Sequence, residues 1–339
     1  MAADAATGIE PMQPLLAQGG LDTSALHGAA ERIAARHAAA PPGDFAAFRM
    51  RIEALATNAA LQAELARQMP HMIRRAANRR VRDLPGMGSQ DVLFDLAGTV
   101  AALLGAGHAA DANSLANRYL DARPQGATGW ALLPLFVALR LREQDAQDPA
   151  APRLDTLLAA ASPRLVAIGG LSGTGKSTLA RLLGCRLGRM PGARVLRSDV
   201  FRKRLAGLPP ETRLPPRHYT RRSDQETFEA MFESADDHLA CGSSVILDAV
   251  FMNRSERDVA EALAERARVP FSGFWLEAPE RDRLARVVAR TGDASDATEE
   301  VVREQSRRSV GEVHWHRMRV NRPLDTIVVA ARGVLERAR

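Results

Sequence analysis

Eight consecutive residues, Gly170-Leu171-Ser172-Gly173-Thr174-Gly175-Lys176-Ser177, fit the pattern G-x-x-x-x-G-K-[ST] at every fixed position. They follow an apolar run, RLVAIG, and precede an amphipathic one, TLARLLGCRL. That is the strand–loop–helix context in which the pattern cradles a polyphosphate. The glycines let the backbone curl so that its N–H groups face phosphate oxygens, and the helix N-terminus adds a positive dipole. Gly170, Ser172, Gly173, Thr174, Gly175, Lys176, Ser177 and Thr178 are therefore the candidate nucleotide contacts. Lys176 would bridge the terminal phosphates and the Ser177 hydroxyl would ligate Mg2+, so ATP and Mg2+ are the expected cofactors. Of 46 basic residues only Lys176 and Lys203 are lysines, which sets both apart from the arginine background.

Two carboxylates extend the pattern. Asp248 closes the run Val245-Ile246-Leu247, as a metal-holding aspartate does at the end of a second strand. The next residue is Ala249 rather than the glutamate that orients water in ATP-hydrolysing machines, which favours transfer to a bound acceptor. Asp199, in Ser198-Asp199-Val200-Phe201-Arg202-Lys203, follows another strand-like run. Its carboxylate can take the proton of an acceptor hydroxyl, with Arg202 one turn later to orient that acceptor. The competing use of Asp199 is to N-cap the following helix. Arg283, Arg286 and Arg290 recur at helical spacing ahead of a Gly-Asp loop. They suit a lid that closes guanidinium groups onto a transferring phosphate, or else a solvated face paired with Glu280 and Asp282.

The elements that must position these groups change character along the chain. Up to about Ser162 the signals are helical, with candidates near 23–39, 44–68, 89–104, 109–122 and 128–144 and no strand. Residues 145–152, DAQDPAAP, read as a linker before one more short helix, and residues 1–20 as a loose tail. Beyond Pro163, five short runs alternate with amphipathic helices: Arg164–Gly169, Ala193–Arg197, Ser244–Leu247, Phe271–Leu276 and Thr326–Val329. The pattern predicts an α/β fold, a five-stranded parallel sheet with helices on both faces behind a P-loop, preceded by an all-α domain. Ligands bind such sheets beyond the carboxyl ends of the strands, where the loop, Asp199 and Asp248 all fall.

Composition excludes several classes. A chain of 339 residues with 46% hydrophobic and 25% charged residues is globular and long enough for about two domains. The longest uncharged apolar stretches fall short of a membrane span, the N-terminus does not read as a secretory signal, and Cys185 and Cys241 are the sole cysteines. A reduced cytoplasmic setting without membrane association is expected. The formal charge of +6 is uneven: residues 1–160 carry 15 Arg against 16 Asp and Glu, a net of −1, and the remainder 31 basic against 24 acidic residues, a net of +7. The Arg74–Arg82 cluster has no interleaved aromatic residue for base stacking and reads as a solvated helix face. Arg213, Arg217, Arg221 and Arg222 hint at an anionic acceptor. His314-Trp315-His316 lacks a third ligand at metal spacing and reads as a packed tryptophan.

Taken together, GLSGTGKSTLAR, RSDVFRKRLAG, SVILDAVF and LEAPERDRLARVVARTGDASDA resemble the bacterial AAA_33-type P-loop kinases. These are often fused behind an aminoglycoside phosphotransferase-like domain. The resemblance covers about residues 163–335. It implies nucleotide contacts by Gly173, Gly175, Lys176, Ser177 and Thr178, acceptor-side roles for Asp199 and Arg202, and lid roles for Arg286 and Arg290. Val250 departs from the threonine common at that place. The helical half, residues 21–160, resembles the C-lobe of the fused phosphotransferase in SQDVLFDLAGTVAALLGAG, SLANRYLD and WALLPLFVALR, but none of its histidines precedes Gly-Asp. It is expected to be an inactive, truncated remnant, with Asp91 and Asp95 as helix residues and 161–339 as the kinase domain. The expected activity is transfer of the γ-phosphate of ATP to a hydroxyl of a small-molecule acceptor. The alternatives are a polynucleotide 5′-hydroxyl kinase, with nucleic acid as a less favoured partner, and a non-catalytic nucleotide-gated interaction protein.

Overall fold

The computed structural model describes residues 22–143, 157–289 and 294–338. The tail at 1–20, the linker at 145–152 and most of the short helix after it lie outside the described residues. The chain divides into two compact units, Met1–Ala161 with Arg189–Gly192, and Ser162–Gly188 with Ala193–Arg339.

The first unit contains α1 (Thr23–Ala39), α2 (Phe45–Leu55), α3 (Ala59–Ala77), β1 (Val81–Leu84), β2 (Gly88–Asp91), α4 (Val92–Gly105), α5 (Ala109–Ala122) and α6 (Gly126–Glu143). The single helix expected over 44–68 is two. Ala56 leaves the helical region, and the Asn58 side chain then accepts the Leu61 N–H at 2.9 Å and starts α3. The absence of strands was also a wrong expectation. Val81–Leu84 and Gly88–Asp91 form an antiparallel hairpin whose four-residue strands are too short and polar to show a period. Its turn runs through Gly86 at φ +77, where a side chain would be strained.

Helix α4 is buried on almost every face, as an apolar core helix must be. Phe48, Phe94 and Phe136 pack edge to face around it at centroid distances of 5.3 to 6.1 Å. The carboxylates inside this core are paired. Asp91 caps α4 through the Leu93 N–H and takes a bidentate bond from Arg75 at 2.8 Å. Asp95 accepts from Arg36 at 2.5 Å and lies 2.8 Å from His37 Nε2, whose Nδ1 meets the Tyr119 hydroxyl at 2.7 Å. Burial holds the His37 imidazole below its ordinary value despite the Asp95 carboxylate. Among the described residues no helix is long and apolar enough to cross a membrane.

The second unit contains β3 (Leu165–Gly169), α7 (Lys176–Gly184), β4 (Arg194–Arg197), α8 (Ser198–Leu205), α9 (Arg221–Ala240), β5 (Val245–Asp248), α10 (Arg254–Ala267), β6 (Phe271–Glu277), α11 (Glu280–Val288), α12 (Glu299–Arg307), β7 (His316–Arg319) and α13 (Leu324–Arg337). The sheet order is β4-β5-β3-β6-β7, every pair parallel. Alternation sends Leu165, Ala167, Val245, Leu247 and Trp275 into one core with α9 and α10. Val166, Ile168, Ile246, Phe274 and Leu276 enter the other with α7 and α13.

The fifth strand is not Thr326–Val329, which belongs to α13. Pro323 stands at the N-cap of that helix, and Ile327, Ala331 and Leu335 are buried four residues apart. The edge place is taken by His316–Arg319, a charged strand without alternation that shields an open sheet edge. Trp315 packs against Phe251 and Phe271, and its indole N–H donates to Glu261 at 2.7 Å.

His238 on α9 is 4% exposed, its Nδ1–H donates to Ser234 O, and its Nε2 has no partner among the described residues. Burial, aided by the Arg194 and Arg204 charges, lowers its pKa to about 4. The unfolded chain protonates this imidazole near 6.5 and so binds more protons between the two values. Stability is therefore complete above about pH 6.5 and declines as pH falls toward 4, by about 3 kcal/mol from this group. Urea denaturation at pH 7.5 and pH 5 should show His238→Phe losing less stability than the parent on acidification, by about 2 kcal/mol. An identical loss in both would mean that the imidazole is already protonated in the fold.

Candidate functional site

The loop between β3 and α7 sits where parallel strands deliver it, beyond their carboxyl ends. Register fixes its neighbours: Ile168 of β3 pairs with Asp248 of β5, which pairs in turn with Arg197 of β4. The Ser177 hydroxyl, in the first turn of α7, thereby donates to Asp248 Oδ2 at 2.6 Å. Asp248 is buried, and Arg197 Nε approaches the same oxygen at 3.4 Å. Gly175 stands at the N-cap of α7 in the left-handed region, so no side chain caps the helix. Thr178 lies one position beyond Ser177 on that first turn and is exposed.

Within the loop, Lys176 Nζ and Thr174 Oγ1 both donate to Leu171 O, at 3.2 and 2.8 Å. Gly170 N donates to Val250 O at 3.2 Å. Ser172 N donates to Oε1 of Gln305, on α12, at 2.8 Å. Gly173 has φ +84 and passes so close to α11 that a Cβ would stand 2.6 Å from the Arg283 carbonyl oxygen. Only glycine fits there.

Of the α11 arginines, Arg286 bonds the loop directly. Arg286 donates to Gly173 O at 3.3 Å and to Val320 O at 2.9 Å. Arg283 is buried and donates to Ser306 Oγ at 2.6 Å. Arg290 lies outside the described residues.

On the acceptor side, α8 begins at Ser198, so the half-buried Asp199 lies inside its first turn and not at the capping position. Arg202 is held by Asp224 at 2.7 Å, Ser223 Oγ at 3.2 Å and His218 O at 3.3 Å, with its guanidinium over the Tyr219 ring at 5.1 Å. Lys203, 1% exposed, pairs with Asp296 at 3.0 Å. The other Asp296 oxygen accepts from the Tyr219 hydroxyl at 2.6 Å and from Leu214 N at 3.0 Å. Burial and the bond to Asp296 raise the Tyr219 hydroxyl above its ordinary value, and the Asp199 charge adds to this, so Tyr219 donates to Asp296 as a neutral phenol.

The structure thus brings Lys176, Ser177, Asp248 and Arg286 together around one loop and sets Asp199 and Arg202 on the helix after the neighbouring strand. Sequence reasoning missed Asp296, Tyr219, Arg197, Asp224 and Gln305. The one available signal was Lys203, a rare lysine that proves to be a buried cation awaiting a carboxylate.

A hydroxyl and a carboxylate oxygen 2.6 Å apart fit Mg2+, which keeps most of its water and takes one or two protein oxygens beside substrate phosphates. Residues 165–310 match the AAA_33 family, described as an AAA domain. Uncharacterised proteins of Mycobacterium bovis and Mycobacterium tuberculosis are each 34% identical over 145 residues, covering 42% of this chain and 28% of their own length. Less than a third of those relatives is therefore spanned. A gluconokinase from Sinorhizobium meliloti is similar in structure at 22% identity and a TM-score of 0.37, covering 52% of this chain and 94% of that one. The five-stranded parallel sheet and the glycine loop at its carboxyl end together define a P-loop nucleotide-binding domain.

Gly173→Ala tests the cradle. The added Cβ meets backbone, which cannot swing aside, and the left-handed φ costs a further 1 to 2 kcal/mol or so. ATP affinity measured by calorimetry should fall by about tenfold or more, with the far-UV spectrum retained. Parental affinity would show that nucleotide does not sit in this loop.

Proposed function

We propose that residues 161–339 form an ATP- and Mg2+-dependent phosphotransferase acting on a hydroxyl of a small-molecule acceptor. The observation that carries the reading is the Ser177–Asp248 contact at the foot of a glycine loop whose lysine stands beside it. When bound, Mg2+ would neutralise phosphate charge, with Ser177 and Asp248 as its protein ligands. Lys176 would exchange Leu171 O for terminal phosphate oxygens. Asp199 would accept the acceptor proton as the hydroxyl oxygen attacks the γ-phosphorus. Arg202 would orient the acceptor from its place over Tyr219. Arg286, with Arg290, would act as the lid, spreading positive charge over the transferring phosphate and excluding water. The Asp199 carboxylate beside a half-exposed aromatic ring suits an uncharged hydroxyl compound such as a sugar or polyol.

Residues 21–160 are proposed to be the inactive remnant of a phosphotransferase C-lobe. Supporting this, both carboxylates that could hold metal are consumed internally, Asp91 by Arg75 and Asp95 by Arg36 and His37.

Lys176→Ala in the full chain should abolish transfer, aminoglycoside acceptors included, because the first unit supplies no second active site. Asp199→Asn should keep ATP affinity within a few-fold and cut transfer by roughly 10^2 to 10^4, the contribution of a positioned general base. The measurement is transfer from γ-labelled ATP across sugars, polyols, aminoglycosides and 5′-hydroxyl oligonucleotides. Residual aminoglycoside transfer in Lys176→Ala would overturn the remnant, and equal loss of ATP binding in Asp199→Asn would make that residue structural. Phosphorylation of oligonucleotides alone, with binding that collapses as salt rises, would replace the small-molecule reading.

A further inference from the structure

The Leu171–Ser172 peptide is engaged at both ends by side chains from different elements. Its carbonyl accepts from Lys176 Nζ at 3.2 Å, and its N–H donates to Gln305 Oε1 at 2.8 Å. Lys176 is the residue that meets the terminal phosphates in this pattern. Gln305 therefore stands one peptide group away from the ammonium that faces the γ-phosphate.

The orientation of the Gln305 carboxamide follows from its partner. A backbone N–H is solely a donor, so the atom facing it must be the carbonyl oxygen, and the Nε2 group is the free end of the amide. That group makes no hydrogen bond among the described residues, and Gln305 is half-buried. Two N–H donors beside the loop lack acceptors, and a terminal phosphate consists of acceptors. The carrier is also held firmly. Ser306, the next residue, takes the Arg283 guanidinium at 2.6 Å, and the Arg283 backbone lies against Gly173.

We propose that Gln305 is a binding residue for the terminal phosphate: Oε1 stays on Ser172 N–H while Nε2 donates to a γ-phosphate oxygen, so that α12 distinguishes nucleoside triphosphate from diphosphate. This deepens the kinase reading and rests on it for the identity of the nucleotide.

The test is calorimetric binding of AMPPNP and ADP, each with Mg2+, to the full chain carrying Gln305→Ala or Gln305→Glu. Ala removes both contacts on a helix it supports well, whereas Glu keeps the acceptor for Ser172 N–H and replaces the donor with a negative charge. Gln305→Ala should weaken AMPPNP by about tenfold and ADP by less than about twofold, as expected for one hydrogen bond to a charged group. Gln305→Glu should weaken AMPPNP further still. Equal losses for both nucleotides would make Gln305 a support of the loop alone, and no loss in either variant would remove it from the site; both outcomes overturn the proposal. Near-parental ADP affinity reports an intact fold in each variant. A parent protein that binds AMPPNP more tightly than ADP yet phosphorylates no acceptor would sink the kinase reading and leave this proposal standing.

Discussion

The contact between Ser177 and Asp248 depends on strand register more than on either residue. A serine in the first turn of α7 and an aspartate at the end of β5 meet at 2.6 Å because β3 and β5 run parallel with Ile168 opposite Asp248. A slip of one residue would turn Asp248 to the other face of the sheet and bury an unpaired carboxylate in an apolar core. The two cores hold that register. Each strand sends alternate residues into separate clusters, and both must fill at once. The helices on both faces, which look like packing material, therefore fix the geometry of the site.

The same logic explains why the loop is backed by α11 and α12. A chain that aims several N–H groups into one space must have its carbonyls and its remaining amides satisfied elsewhere. Gly173 O takes Arg286, Leu171 O takes Lys176 and Thr174, and Ser172 N takes Gln305. Asp296 does comparable work on the acceptor side. A lone buried Lys203 would be costly, but Asp296 pairs with it and also accepts from Tyr219 and Leu214 N, so neither charge is left without a partner. Asp296 thereby joins the residues just ahead of α12 to α8.

Local rules made much of this readable and failed where their signal was absent. The loop and Asp248 were legible because the pattern and its flanking apolar runs agree, and four strands were legible as short β-branched runs. His316–Arg319 was not, because an edge strand of charged residues carries no alternation, while Thr326-Ile327-Val328-Val329 has strand propensity and was overruled by Pro323 and a four-residue burial period. The break at Ala56 was hidden for a related reason: Asn58 caps α3 inside an otherwise helical run. Asp296, Tyr219 and Gln305 were beyond reach, since their partners lie 77 to 133 residues away and no spacing rule connects them.

The charge of the second half, a net of +7 from residue 161 onward, takes on a different meaning once its partners are known. Arg257 spends its guanidinium on the carbonyls of Phe251, Met252, Val310 and Glu312, and Arg164 on those of Leu335 and Ala338. Arg286 bonds two more carbonyls, while Arg197, Arg202 and Lys203 face carboxylates. Carbonyls absorb cations without contributing counter-charge, so a chain that staples its loops with arginine acquires a positive formal charge from contacts that serve the fold. Exposed arginines such as Arg222, Arg303 and Arg308 are matched by glutamates four residues away on their own helices. A nucleic-acid backbone binds a stripe of unmatched cations. The pairing found here puts much of the positive charge into contacts that hold the fold, while Arg213, Arg217, Arg221, Arg319 and Arg322 remain exposed on its surface.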